Sequence, residues 1–349
     1  MPQKLLMVWW LFALSIEAGD QYFERFSEKD SFDKFNLYMC SFIDLNAELL
    51  NENGGAVYLQ GKETSIFVNY SCFYNCTSCK GGGIYFECMT KGELKLEKSC
   101  AESCYVINGV GQFIYSFGIC KCFMTSVQKS ASDYYNFCTS NIYIQEKNMM
   151  MIQMNFSANK MFANSGIYSY SHSISPVDSE LSQCIFINNR GVKLISIWQQ
   201  ENIIIRSCFF VSNTIVQYGL VTNDFSSILL EKCIFLSNIL MNSTLVFQND
   251  VSCQTTLKDC NISDEVNLTN NIGIITFSNV DTSLIMDIFS ITNECPIIIK
   301  EKNYILYYIG GAIVFIVFIG AMVKFLNTYL NRKCSNNQVS DEDSIQNDL

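Results

Sequence analysis

The hexapeptide LSQCIF (181–186) returns as IRSCFF (205–210), LEKCIF (230–235) and LKDCNI (257–262), so that one cysteine recurs in steps of 24, 25 and 27 residues. Each copy is rich in Ile, Leu and Phe and is bounded by Asn, Ser or Gly, a pattern typical of a short β-strand followed by a turn. The series therefore predicts a repeated, all-strand unit. Two further copies are LIMDIF (284–289), with Asp287 in place of the cysteine, and LYMCSF (37–42).

A unit of this length fits one coil of a right-handed parallel β-helix of the pectin-lyase-like kind. Neighbouring coils of such a fold pair in parallel, and equivalent residues stack about 4.8 Å apart. A β-sandwich gives no reason for one position to recur as Cys, and the internal sequence lacks the 3.6-residue period of a helical solenoid. We therefore predict an all-β, right-handed parallel β-helix over about residues 36–295. Second strands of the coils are predicted at GLVTN (219–223), TLVFQN (244–249) and GIITFSN (273–279).

Glycine pairs begin two further copies, GGAVYLQ (54–60) and GGGIYFE (81–87), which lie 27 residues apart. Paired glycines let a chain turn with positive φ before it enters a strand. A phosphate-binding loop would need a following Lys-Ser or Lys-Thr and a helix, and the sequence offers neither. These glycines are predicted to form corners of coils.

The two ends of the chain predict export and membrane anchoring. The first residues combine a basic Lys4 with an apolar run and small residues at a cleavage site, as a secretory signal peptide does. An uncharged run of twenty residues near the other end is long enough to cross a bilayer. We expect a type I single-pass protein of the plasma membrane with its ectodomain outside. The predicted domains are the signal peptide (1–18), the extracellular ectodomain (19–303), the transmembrane helix (304–323) and the cytoplasmic tail (324–349).

Cysteine usage agrees with this topology, because only Cys334 of the 17 cysteines follows the predicted span. Cys72, Cys76 and Cys79 have the C-x3-C-x2-C spacing of a radical-SAM iron–sulfur site, and with Cys88 they would suffice for zinc. Export to an oxidising compartment favours disulfides over either alternative, so no metal and no cofactor is predicted. The pairing stays open among the candidates Cys72, Cys76, Cys79, Cys88, Cys100, Cys104, Cys120, Cys122 and Cys138.

The recurring cysteines of the second half are predicted to have a different role. Straight stacking on successive coils separates their Cβ atoms by about 4.8 Å. That is longer than the roughly 3.5–4.5 Å of a disulfide. We therefore expect an inward-facing ladder of packed thiols, formed by Cys184, Cys208, Cys233 and Cys260.

Asparagines have two predicted roles. N-x-S/T sequons lie only on the exported side of the predicted span, where they are candidates for glycosylation. At the coil corners, stacked amides that bond to one another and to the turn backbone are a simpler account than ligand binding. The corner asparagines are Asn188, Asn213 and Asn238, and the sequons are Asn69, Asn75, Asn155, Asn242, Asn261 and Asn267.

The net charge and the lack of recognisable catalytic motifs narrow the classes of function that the sequence allows. The net charge is −10 without a basic run, so nucleic acid is a poor partner. Many β-helices cleave polysaccharides, and Asp224, Asp250 and Asp281 recur after strands where they would form a weak Ca²⁺ or glycan site or cap turns. His172, the one histidine, lies in a polar loop without a partner motif. No catalytic residue is predicted.

The sequence resembles a known group in its short motifs. GGAV (54–57) and the F-x-x-N series FSAN (156–159), FINN (186–189), FVSN (210–213) and FLSN (235–238) are similar to the GGA[ILV] and FxxN repeats of chlamydial polymorphic outer-membrane proteins. With a transmembrane helix, the chain looks like the anchored relatives of protozoan parasites such as trichomonads. This resemblance implies a non-catalytic, adhesin-like or antigenic surface protein that contacts a host surface, a glycan or another cell. The alternative is a glycan-cleaving β-helix enzyme with an unrecognised acidic site.

Overall fold

The computed structural model describes strands and turns, with no helix among the described residues, all of which lie in the first of two units, 1–296 and 297–349. The described residues are 14–16, 21–22, 25–31, 33–47, 52–106, 109–130, 140–145, 148–160, 166–170, 179–198, 202–263 and 272–280.

In chain order the strands are β1 (Leu14–Ile16), β2 (Gln21–Tyr22), β3 (Phe26–Ser31), β4 (Lys34–Tyr38), β5 (Ser41–Ile43), β6 (Val57–Gly61), β7 (Ser65–Asn69), β8 (Cys72–Tyr74), β9 (Thr77–Ser78), β10 (Ile84–Cys88), β11 (Glu93–Glu97), β12 (Cys100–Glu102), β13 (Tyr105–Val106), β14 (Ile114–Phe117), β15 (Ile119–Phe123), β16 (Ser126–Gln128), β17 (Ile142–Gln145) and β18 (Met149–Ile152). The remaining strands are β19 (Asn155–Ser157), β20 (Ile167–Tyr170), β21 (Ser179–Ser182), β22 (Ile185–Ile187), β23 (Arg190–Gly191), β24 (Ile195–Trp198), β25 (Asn202–Arg206), β26 (Phe209–Val211), β27 (Thr214–Ile215), β28 (Tyr218–Asp224), β29 (Ser227–Glu231), β30 (Ile234–Leu236), β31 (Ile239–Leu240), β32 (Ser243–Gln248), β33 (Gln254–Lys258), β34 (Asn261–Ile262) and β35 (Ile274–Ser278).

Three long parallel sheets build the described part of the chain. The eleven-stranded sheet has the order β1-β4-β7-β11-β15-β18-β21-β25-β29-β33-β35, the nine-stranded sheet β3-β6-β10-β14-β17-β20-β24-β28-β32 and the ten-stranded sheet β2-β5-β8-β12-β16-β19-β22-β26-β30-β34. Each strand of the nine-stranded sheet is followed along the chain by one strand of the eleven-stranded and one of the ten-stranded sheet. Short strands add two minor sheets, β9-β13 and β23-β27-β31. The protein is a parallel β-solenoid, as the repeats predicted.

The repeat length is confirmed by the strand register. Ile203 of β25 pairs with Ser179 of β21 and with Ile228 of β29, and Ile228 pairs with Thr255 of β33. These pairings repeat the steps between the recurring cysteines, because each coil is one pass around the three sheets. The predicted glycine corners are also confirmed at Gly81, where φ is +61°.

One predicted strand lies in a different sheet from the one expected. GIITFSN (273–279) was interpreted as equivalent to TLVFQN (244–249), which contains β32, but β35 pairs with β33, and Leu257 lies opposite Phe277. The turn that follows gives the reason. Asn279 has φ 50° just after the strand, as Asp259 does after β33 with φ 53°. The segment therefore has the geometry of the corner-preceding strand, which the apolar pattern alone does not distinguish.

The corner between the eleven-stranded and the ten-stranded sheet repeats the same backbone in each described coil. One residue there has φ between 46° and 57°, a left-handed conformation that costs a non-glycine residue roughly 1–2 kcal/mol. The next side chain is turned inward and, at every one of these corners except that of Met154, donates to the carbonyl two residues earlier, as Ser71 Oγ does to Asn69 O over 3.0 Å and Cys208 Sγ to Arg206 O over 3.4 Å. This bond fixes the turn. The left-handed residues are Met39, Tyr70, Lys98, Met124, Gln153, Gln183, Ser207, Lys232 and Asp259.

Phenylalanines form a column inside the solenoid on the ten-stranded sheet. The rings of Phe156, Phe186, Phe210 and Phe235 stack with centroids 4.9, 5.0 and 4.8 Å apart, and all four are fully buried. Where Ala101 takes this position, Phe113 lies nearby, edge-on to Phe73 at 5.3 Å. The core is thus filled by stacking along the axis.

Asparagines form a second buried column, at the corner that follows the ten-stranded sheet. Asn159 Nδ2 donates to Asn189 Oδ1, Asn189 Nδ2 to Asn213 Oδ1 and Asn213 Nδ2 to Asn238 Oδ1, each over 3.0 Å. The predicted member Asn188 is wrong. It is exposed, with φ 54°, and turns the chain so that its neighbour Asn189 faces inward.

Several predicted features fall outside the described residues. The predicted signal peptide lies outside them except for β1. The predicted span (304–323), the tail (324–349) and the repeat copy with Asp287 also lie outside them. Among the residues that the structure describes, no helix is long and apolar enough to cross a membrane.

Candidate binding face

A regular row of tyrosines lies on the outside of the nine-stranded sheet. Register places one tyrosine opposite the next on five successive strands, β6, β10, β14, β17 and β20. Alternate residues on these strands belong to the core, so the tyrosines face away from it. The tyrosine row consists of Tyr58, Tyr85, Tyr115, Tyr143 and Tyr168.

The rings of the tyrosine row are stacked face to face. Their centroids are 5.1, 4.9, 5.5 and 5.0 Å apart, and their planes lie within 9° of parallel. The strand spacing sets this distance, because in-register residues of a parallel sheet repeat about every 4.8 Å. Each ring covers its neighbour, so Tyr85 is only 6% exposed, and the row presents edges rather than faces to solvent.

Acceptor side chains lie two residues beyond the tyrosine on three of the five strands, at Gln60, Glu87 and Gln145. Tyr58 Oη donates to Gln60 Oε1 over 2.6 Å, and Tyr85 Oη donates to Glu87 Oε2 over 2.5 Å. Burial raises the pKa of the Tyr115 phenol to about 12, and burial followed by the bond to Glu87 raises the pKa of Tyr85 further. The hydroxyls of Tyr85 and Tyr115 therefore stay protonated at neutral pH.

Cations lie over the rings at two places. The Arg25 guanidinium is 5.1 Å from the centroid of Tyr58, and Lys29 Nζ is 5.6 Å from the same centroid. Further along the row, Lys80 Nζ is 5.3 Å from the centroid of Tyr115. These contacts are within cation–π range, and they give an otherwise acidic chain local positive charge beside this face.

The tyrosine row ends at two small, fully buried polar side chains. The next two positions on β24 and β28 are Ser196 and Thr222, before Phe247 restores an aromatic ring on β32. Lys193 and Asp224 lie there as an ion pair, with 3.8 Å between Lys193 Nζ and Asp224 Oδ2. The name "the recess" is used below for this largely buried group, Lys193, Ser196, Thr222 and Asp224.

A second row of outward-facing positions lies two residues further along these strands, and it places Trp198 beside the recess. Register aligns Tyr170, Trp198 and Asp224 on β20, β24 and β28. Tyr170 and Trp198 stack with centroids 4.2 Å apart and planes 13° from parallel. The half-buried Trp198 therefore lies between an aromatic neighbour and the carboxylate of the recess.

The predicted aspartate line is not assembled in the described part of the chain. Asp224 is buried beside Lys193, whereas Asp250 is half-buried and accepts hydrogen bonds from Ser252 N and Oγ over 2.8 and 2.7 Å. Hydrogen bonding to Ser252 lowers the pKa of Asp250, as in a turn cap. Asp281 and His172 lie outside the described residues, and the described ones include no cluster of His, Cys, Asp or Glu suited to a metal.

The structure places the recurring cysteines at equivalent, buried corner positions. Cys184, Cys208, Cys233 and Cys260 carry free thiols, and each donates to a carbonyl of the preceding coil, as Cys233 Sγ does to Ile205 O over 3.3 Å. The same corner position holds Cys40, Ser71, Ser99, Thr125 and Met154 in earlier coils.

The other predicted cysteine cluster is spread over several positions. Cys100 is disulfide-bonded. Cys72, which lies opposite it in the strand register, keeps its thiol, and burial raises the pKa of that thiol to about 12. Cys122 lies near Cys120, with 3.9 Å between the sulfurs. Cys138 lies outside the described residues. Buried free thiols are found at Cys76, Cys88, Cys104, Cys120 and Cys122.

The structure separates the predicted sequons by accessibility. Asn75 and Asn242 are exposed turn residues with φ 51° and 54°. Asn155 and Asn261 are buried strand residues, and Asn69 ends β7 with its Oδ1 buried. Asn267 lies outside the described residues.

Sequence reasoning missed the tyrosine row. Its signal is present as a dipeptide, Val-Tyr or Ile-Tyr, at 57–58, 84–85, 114–115, 142–143 and 167–168. The steps between copies vary from 25 to 30 residues, because loops of different length join the sheets. A search for a fixed period therefore passes over them.

Comparisons with protein-family models, curated proteins and solved structures find no match.

Proposed function

We propose that this protein is a non-catalytic, adhesin-like surface protein that binds its ligand along the tyrosine row. The observation that carries the proposal is the row itself, five stacked phenols with acceptor side chains alongside. Core packing does not require these rings, because alternate residues of the same strands fill the interior.

The chemistry of the row suits binding to a polar, extended partner. Tyrosine combines apolar area with a hydroxyl and loses little conformational entropy on binding. Here neighbouring rings already hold each other in place, so the ordering cost of association is largely met before the ligand arrives. A glycan on a host cell or on a neighbouring cell fits such a face, because its hydroxyl groups can pair with both phenols and amides. The net charge of −10 disfavours polyanions as the main ligand.

The wider proposal includes the topology and the family relation. Signal peptide (1–18) and span (304–323) would present the solenoid outside the plasma membrane as a type I protein. The GGAV and FxxN motifs support a relation to polymorphic outer-membrane-protein repeats of the transmembrane-anchored kind. A right-handed coil is proposed because parallel crossovers in one sheet have this hand in about 98% of cases.

Cell adhesion tests the proposal. The full chain is displayed on a non-adherent cell line, and attachment to epithelial monolayers is measured under flow for wild type and for the combined variant Tyr85→Phe, Tyr115→Phe and Tyr143→Phe. We expect attachment to fall at least tenfold in the variant, because the rings stay and the hydroxyl donors are lost.

A matched variant separates this effect from general loss of tyrosine. Tyr38 and Tyr70 are 38% and 45% exposed and lie in or just after strands of the eleven-stranded sheet. Tyr38→Phe with Tyr70→Phe should attach like wild type. Equal attachment of row variant, control variant and wild type would overturn the assignment of the binding face, and no attachment by wild type to any cell tested would overturn adhesion.

A further inference from the structure

We infer that the recess is the site of an intramolecular isopeptide bond, formed between Lys193 Nζ and the side-chain Cγ of Asp224. The inference goes beyond the proposed function, because it concerns a covalent link between two coils and requires no ligand. The chemical change is the loss of one water molecule from the two side chains.

The first observation is that the two reacting groups meet inside a closed site. Lys193 Nζ lies 3.8 Å from Asp224 Oδ2, and the two side chains are only 13% and 8% exposed. Ser196 and Thr222, the other members of the recess, are fully buried. Holding two reactants in contact replaces a bimolecular encounter, and the exclusion of water protects the product from hydrolysis. The closed recess therefore favours condensation of the pair.

The second observation is that burial favours the protonation states that this reaction requires. Burial lowers the pKa of the Lys193 ammonium, and burial raises the pKa of the Asp224 carboxyl, although the attraction between the two charges opposes both shifts. An ammonium has no lone pair, and a carboxylate is a poor electrophile, so condensation needs the neutral amine and the neutral acid. Both pKa shifts favour these neutral forms.

The third observation is the set of hydrogen bonds around the carboxyl group. Lys193 Nζ donates to Ser196 Oγ over 3.4 Å, and the side chains of Ser196 and Asn249 form hydrogen bonds with Asp224. Ser196 thus connects the amine to the carboxyl and provides a path for proton transfer. The Asn249 amide would stabilise the negative charge that develops on a carboxyl oxygen when the amine adds.

The atoms of the step balance without a further reactant. One proton passes from Lys193 to Asp224, and the lone pair of the resulting amine forms a bond to Cγ. The bond from Cγ to the protonated oxygen then breaks, and this hydroxyl leaves as water with a second proton from the nitrogen. Nothing is oxidised or reduced. The product is a neutral amide, so the desolvation cost of two buried charges is removed.

The bond would join two neighbouring coils. Lys193 precedes β24 and Asp224 ends β28, and these strands pair in the nine-stranded sheet that carries the tyrosine row. Coils of a solenoid that only pack together can open one at a time. An isopeptide bond at this position would prevent the two coils from separating.

Peptide mass spectrometry of the full-length protein, purified in detergent and then unfolded and reduced, tests the inference. Trypsin cleaves after Lys and Arg but not after an acylated lysine. We expect a peptide of residues 191–206 joined to one of residues 207–232, with a mass lower than the sum of the two by one water molecule. Recovery of residues 194–206 as a separate peptide, without the joined pair, would overturn the inference.

Lys193→Arg is the first control, because it keeps the positive charge and removes the primary amine. This variant should release residues 194–206 and 207–232 as separate peptides. A link to residues 207–232 that persists in this variant would overturn the assignment to Lys193.

A matched ion pair within the same protein is the second control. Lys121 Nζ and Glu93 Oε2 also join neighbouring coils and are closer, at 2.8 Å, but their side chains are 33% and 31% exposed. Trypsin should cleave fully after Lys121, because water reaches this pair. An equal yield of linked peptide at Lys121 would overturn the role of the closed recess.

Discussion

Replacing Asn189 by alanine should destabilise the solenoid far more than the same change at its neighbour Asn188. Asn189 Oδ1 accepts from Asn159 N and Nδ2 over 3.1 and 3.0 Å, and its Nδ2 donates to Phe156 O and Asn213 Oδ1 over 2.9 and 3.0 Å. The side chain is buried, so no water replaces these partners.

The magnitude follows from these contacts. Four hydrogen bonds at roughly 1 kcal/mol each put the loss in the free energy of unfolding at about 4 kcal/mol. Asn188→Ala loses only the tolerance of asparagine for the left-handed conformation, roughly 1 kcal/mol. The two variants differ by one position in sequence and should differ by about 3 kcal/mol in the free energy of unfolding.

Guanidinium unfolding of the full chain in detergent, followed by far-ultraviolet circular dichroism, measures this difference. Because repeat proteins can open coil by coil, hydrogen exchange of peptides covering 155–160 and 185–190 checks where the loss occurs. If Asn189→Ala and Asn188→Ala agree within 1 kcal/mol of unfolding free energy, the amide column does not stabilise the corner, and the reasoning fails.

Three further predictions concern other features. In chemical unfolding, Cys208→Ser should keep most of the free energy of unfolding, whereas Cys208→Val should lose at least about 1 kcal/mol. The reason is that Ser71 and Ser99 already form this corner with a hydroxyl that donates to the carbonyl two residues earlier. Equal losses in the two variants would argue against a required donor. On secretion, peptide mass spectrometry should find glycan at the exposed Asn75 and Asn242 and none at the buried Asn155, and occupancy at Asn155 would contradict its burial. Burial raises the pKa of Tyr115 to about 12 from an ordinary value of 10, so the contribution of its neutral phenol to stability is complete below pH 10 and is lost as the pH rises towards 12. The loss of stability that the wild type shows between these pH values should be smaller in Tyr115→Phe. An unchanged alkaline unfolding profile would refute the role of Tyr115.

The repeats were predictable where the sequence marks them with a rare residue. Cysteine at 184, 208, 233 and 260 revealed the coil length, but earlier coils fill the same corner with Ser71, Ser99 and Thr125, which a search for cysteine cannot find. Apart from Met154, these corner residues share a small side chain that donates a hydrogen bond. That requirement becomes visible only when the corner backbone is known.

The candidate site was harder to predict, for two physical reasons. The tyrosine row depends on register between strands that loops of unequal length separate, so its period in sequence is irregular. The recess depends on a contact between Lys193 and Asp224, which lie 31 positions apart and meet because adjacent coils stack. The sequence does not show which residue of the pair Asn188 and Asn189 turns the chain, so it predicts the wrong member for the amide column.

The repeated corner geometry has a consequence for how the number of coils can change in evolution. Gln183 and Ser207 occupy the same left-handed corner position one coil apart, and Cys184 and Cys208 follow them. Excision of residues 184–207 would therefore join Gln183 to Cys208 at nearly the same backbone angle, since φ is 54° at Gln183 and 51° at Ser207, and Asn213 would follow Asn159 in the amide column. Unequal recombination within the gene would shorten or lengthen the solenoid by whole coils in this region. Length then becomes a trait that selection can tune separately from the chemistry of the face.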